Sequence, residues 1–219
     1  MDARALDELR ELARRDAELA TGAGRLRELD AQVAAVRARA ETIDAFFAAY
    51  PAEEQRRRHE REAAAAELAR RTDELRGAEA ELERASDDAT RERAASAVAR
   101  ACDHVTVAEA SLDRATASAD ELERDASSLP EEVPRLEQRA RDIARSAGHV
   151  PAPPEGVRDL VEWASHAHAE LFVAARQLDA QRERVIREAN ELATMLLGEP
   201  TYGSSVEQLA ERVLPLAGE

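Results

Sequence analysis

Apolar residues recur along this chain at alternating steps of three and four. Leu26, Leu29, Val33, Val36, Ala40, Ile43, Phe47 and Tyr50 form one such series. Two seam positions in every seven lie on one narrow stripe of an α-helix, the pattern of a helix that packs along a partner. Ala5, Leu12 and Leu19 carry the column back toward the start, so a first helix is expected over about 2–49. A second series runs Ala64, Leu68, Leu75, Ala78, Leu82, Ala85, Ala89, and a third runs Val98, Ala101, Val105, Ala108, Leu112, Ala115, Ala119, Leu122, Ala126, Leu129. A last helix over about 156–197 is marked by Val157, Ala164, Leu171, Leu178, Val185 and Leu192, and Val161, Trp163 and Phe172 widen its apolar face.

The breaks between these series set the expected topology. Pro51 cannot continue a hydrogen-bond ladder but suits the first turn of a new helix, so an antiparallel hairpin is expected with its turn at 50–51. That turn would set Gly24 opposite Gly77 with Gly22 beside it, making the three glycines a candidate hinge. The seam changes phase between Ala89 and Val98, yet no Gly, Pro or Asn lies between 83 and 98. A turn usually wants one, so a continuous middle helix is expected through 86–93. The alternative is a tight turn near 86–90 and a compact four-helix up-down bundle. Pro130 and Pro134 suggest a break followed by a short helix, with Gly148 as its cap and an extended polyproline stretch through Pro151, Pro153 and Pro154. Ser204 and Glu207 have capping-box spacing ahead of a short final helix to about Leu214.

The fold class expected is therefore all-α: long antiparallel coiled-coil helical hairpins in series, closed by a short C-terminal helix. Its parts would be a hairpin over 1–126, a Pro-rich connection over 127–155, and a region over 156–219 whose long helix packs back on the middle helix.

Composition agrees. Among 219 residues there are 49 alanines, no lysine and six aromatics, and 35% of positions are charged. That is the mixture of long helices, not of a large aromatic core. A net charge of −15 argues against direct nucleic-acid binding and against anionic membranes. No apolar run is long enough to span a bilayer, and none follows the first residues as a leader would. Cys102 is the single cysteine, which suits a reducing compartment. A cytoplasmic protein is expected.

Candidate chemistry is sparse. The histidines are His59, His104, His149, His166 and His168, and none has a glutamate three residues before it, as a carboxylate-bridged bundle site requires. Glu162, His166 and Glu170 share a helix face, which reads as surface ion pairing. No phosphate loop, nucleophile elbow or dinucleotide fingerprint occurs. No catalytic residue, metal or cofactor is expected. Arg56, Arg57, Arg58 and Arg61 form the one basic block and are candidates for docking a partner. Trp163, Leu171, Phe172, Leu178, Val185 and Leu192 form a candidate association face. These features point to a non-enzymatic coiled-coil structural or protein-interaction protein that self-associates or docks a partner helix. The alternatives are an accessory subunit of a nucleotide-driven DNA or secretion machine and, less favoured, a metal-binding helical bundle.

Overall fold

The computed structural model describes residues 3–213. They form four helices, α1 (Ala3–Arg84), α2 (Asp88–Ala147), α3 (Val157–Leu197) and α4 (Val206–Val213), and among the described residues there is no strand. The all-α class holds. The expected ends at Asp2 and Leu214 lie outside the described residues.

The expected turn at 50–51 is absent: α1 runs through Pro51 without interruption. Proline removes the bond its N–H would have donated to the carbonyl of Phe47. Pro51 is exposed and Phe47 is 39% exposed, so water can take that place. The seam also keeps its phase across the proline. Phe47, Tyr50, Glu54, Arg57, Arg61, Ala64, Leu68, Arg71, Leu75, Ala78, Leu82 and Ala85 continue the three–four alternation, and from Ala64 onward each is half-buried. The same reasoning corrects the break expected at 127–134. Val133, Leu136, Ala140 and Ile143 prolong the α2 seam in phase, while Pro130 and Pro134 both face solvent.

The turn lies instead at 85–87, where the middle helix was expected to be continuous. It needs no glycine because Asp87 caps the start of α2. The Thr90 N–H donates to Asp87 Oδ1 at 2.8 Å, and the Asp87 N–H donates to Thr90 Oγ1 at 3.4 Å. This is a reciprocal box built from Asp and Thr. The phase change between Ala89 and Val98 is thus the mark of a reversal.

The chain divides into two compact units, one from Met1–Glu41 and Val133–Glu219, the other Thr42–Glu132. The second is a two-helix antiparallel hairpin formed by the C-terminal half of α1 and most of α2. Its buried apolar side chains are Ile43, Ala101, Ala108 and Leu122, and of these Ile43 alone is fully shielded. Alanine at so many seam positions lets the helices lie close but leaves little apolar area to bury.

The first unit is a helical bundle with two cores. In one, Leu29, Val33 and Val36 of α1 and Ala140 and Ile143 of α2 meet Leu160, Trp163, Ala167 and Leu171 of α3. In the other, Leu6 and Leu9 of α1 meet Val185, Ala189 and Leu192 of α3 and Val206, Leu209 and Val213 of α4. The long helix α3 therefore packs antiparallel along the first part of α1. It was expected to pack back on the middle helix, and the missing turn at Pro51 is why α1 takes that place along most of its length. The capping box of α4 is shifted by one residue from the expected pair: Ser205 Oγ accepts the Gln208 N–H at 3.4 Å, and Gln208 Oε1 accepts the Ser204 hydroxyl at 2.9 Å. Gly203 precedes it because a Cβ there would stand 2.7 Å from Leu209 Cγ.

Candidate functional site

Continuity of α1 moves the aromatic and basic residues from a hairpin tip to the side of a helix pair. Phe46 meets Phe47 edge-on at 5.4 Å between ring centroids and Tyr50 at 5.9 Å. One to three turns beyond Tyr50, Glu54, Arg57, Arg58 and Arg61 line a groove of about 170 Å³ with Ala119, Leu122 and Glu123 of α2. The groove lies wholly in the hairpin unit. Tyr50, Arg57 and Arg61 are seam positions, so the heptad phase through Pro51 is the signal that brings them together.

The basic block is largely neutralised by its own neighbours. Arg56 pairs with Glu53 and, at 2.8 Å, with Glu60; Arg58 pairs with Glu54 at 2.8 Å. Hydrogen bonds from Arg56 and then Arg57 hold the Glu53 carboxyl below its ordinary value, and Glu53 in turn raises Arg56. Arg57 is half-buried. It bonds Glu53 at 3.0 Å, donates to the Ser118 carbonyl at 2.6 Å, and also contacts the Ser118 hydroxyl. It ties the two helices of the hairpin and is not free to grip a ligand. Arg61 is exposed and, among the described residues, has no ion pair. Of the four arginines expected to dock a partner, Arg61 alone presents an uncommitted charge to the groove.

The expected association face is mostly spent within the chain. Trp163, Leu171, Val185 and Leu192 are buried in the two cores of the bundle unit and Leu178 is half-buried. Phe172 is 54% exposed beside Val173. It rests against His168, with ring centroids 6.3 Å apart, and under the Arg176 guanidinium at 6.0 Å. The width of the apolar stripe on α3 reflects neighbours on two sides, α1 and either α2 or α4.

The glycines do not form one feature. Gly24 and Gly77 lie on one uninterrupted helix and cannot face each other. Nothing lies within 4 Å of a Cβ added at either, whereas at Gly22 it would stand 3.1 Å from Leu178 Cδ1. Gly22 is a close approach of α3 to α1.

Among the described residues no group of three His, Cys, Asp or Glu is placed to hold a metal ion. His166 Nδ1 is engaged with the Glu162 backbone carbonyl at 3.0 Å, and His168 with Asp30 at 2.6 Å. Cys102 is exposed next to buried Ala101. Among the described residues no helix is long and apolar enough to cross a membrane. No protein-family model, curated protein or solved structure matches the chain.

Proposed function

We propose that this protein is a non-enzymatic coiled-coil interaction protein of a reducing compartment, in which the hairpin unit pairs with the same unit of a second copy. The observation that carries this is the thinness of the hairpin's own core. Over 42–132 the buried apolar side chains are one isoleucine, two alanines and one leucine, and only the isoleucine is fully shielded. Leu68, Leu75, Leu82, Val98, Val105 and Leu112 stay only half-buried along the seam. Ordering each residue costs about 1–2 kcal/mol of backbone entropy, and two helices with an alanine seam return little of it. A second hairpin laid against the first would bury those flanks as a four-helix bundle does.

Because the chain has no lysine, a carboxyl-reactive dihydrazide is the suitable cross-linker. Treatment of mixed light and ¹⁵N-labelled full-length chains should give mixed-isotope cross-links within 42–132. Absence of mixed cross-links, or their confinement to the bundle unit, would overturn the proposal.

Arg61 favours a second reading, in which the hairpin docks on a larger assembly through an acidic side chain of a partner seated in the groove. Under that reading Arg61→Glu removes docking and leaves self-association unchanged.

A further inference from the structure

The link between α2 and α3 belongs to the bundle unit and carries three prolines, Pro151, Pro153 and Pro154. Ring closure fixes φ near −65° at each. A following proline also disfavours the helical region at Val150, Ala152 and Pro153, and here no helix overrides that preference. The segment takes part in no helix, and three prolines in four residues outside a helix favour a polyproline II path over 151–154.

Three contacts hold this path against the bundle. Val150 is buried in the core formed by Ile143, Leu160 and Trp163. The Trp163 indole N–H donates to the Pro151 carbonyl at 2.8 Å. The Gly156 N–H donates to a Glu137 carboxylate oxygen at 3.0 Å. A polyproline II helix has three residues per turn, so Pro151 and Pro154 share one edge. Both are exposed, while Pro153 between them is half-buried.

We propose that this strap is itself a ligand, and that Pro151 and Pro154 seat in an aromatic-lined polyproline groove of a partner protein. Grooves of that kind pack flat aromatic rings against prolines one turn apart. They gain from a ligand that is already ordered, because most of the entropy of straightening the chain has been lost before binding. Here proline sterics and the anchors at Val150, Pro151 and Gly156 supply that order. The partner contributes tryptophan or tyrosine faces to the two rings.

Trp163 is the one tryptophan of the chain, so ¹⁵N-labelled protein shows a single indole resonance, one bond away from the strap. Titration of the full chain with a panel of purified SH3, WW and EVH1 domains should move that resonance saturably with at least one of them. Pro151→Ala/Pro154→Ala should weaken that binding by about tenfold or more, and Pro153→Ala by less than about threefold, with melting temperatures confirming that each variant folds. The proposal is overturned if no domain of the panel shifts the resonance, or if the double variant binds as tightly as the parent.

Discussion

Asp16 of α1 and Arg182 of α3 form an ion pair with Nε 2.6 Å from Oδ1, and the other oxygen of the same carboxylate accepts the backbone N–H of Val206 at 3.1 Å. Val206 is the first residue of α4. One carboxylate, 6% exposed, thus joins three helices and sits where the dipole of α4 favours negative charge. An eight-residue helix is not stable alone, so α4 depends on this anchor and on Val206, Leu209 and Val213 in the core. Asp16→Ala should cost about 2–3 kcal/mol, since it leaves a buried N–H and a half-buried guanidinium without their acceptor. Thermal unfolding reads this directly, and an unchanged midpoint would show that the anchor is dispensable.

The three glycines, expected to act together, should separate on mutation. Gly24→Ala and Gly77→Ala face open space and should each stabilise the helix by about 0.5–1 kcal/mol. Gly22→Ala meets Leu178 Cδ1 at 3.1 Å and should gain nothing or lose stability. Equal gains at all three positions would contradict the close approach of α1 and α3.

The turn at 85–87 should depend on pH through Asp87. Hydrogen bonds from the Thr90 backbone N–H, then from its hydroxyl, hold the Asp87 carboxyl below its ordinary value. A carboxyl lowered on folding adds stability above its unfolded value, and that stability is lost as pH falls through the folded value. Protection of the Thr90 and Arg91 amides against hydrogen exchange, corrected for the intrinsic rate, should therefore fall as pH drops below the ordinary aspartate range, about pH 4. Asp87→Asn keeps a good cap and should abolish the pH dependence. A dependence that survives in that variant would assign the effect elsewhere.

Adjacent residues on α3 should differ sharply. Leu171 is fully buried and Leu171→Ala should cost about 2–5 kcal/mol. Phe172 projects outward, and Phe172→Ala should change stability by less than about 0.5 kcal/mol. Comparable losses in chemical denaturation would place Phe172 in a core that the structure does not give it.

Much of this fold is legible as heptad phase. The bounds of α3 follow from its apolar column to within a residue, and the seams of α1 and α2 are read correctly wherever leucine, valine or isoleucine marks them. The errors come from ranking single residues above phase. Pro51, Pro130 and Pro134 look like breaks, but each lies on a solvent-facing side where the lost hydrogen bond costs least. The true reversal at 85–87 carries no glycine or proline, only an Asp–Thr box inside a charged run. The basic block was legible, and so was its neutralisation, since Glu53, Glu54 and Glu60 stand three or four residues from Arg56 or Arg58; the tie of Arg57 to Ser118 was not, because it depends on the facing helix. Asp16 resembles any other surface carboxylate in sequence, and its burial follows from a helix joined to it through a distant loop.

The central claim, pairing of two copies through the hairpin, is tested most directly by the solution mass of the full chain. Light scattering should give a weight-average mass above 24.0 kDa that rises with protein concentration toward twice that value. Each copy carries −15, so the rise should be larger in about 0.5 M salt than in about 0.05 M, where the repulsion is less screened. A mass of 24.0 kDa at every concentration and both salts would contradict it.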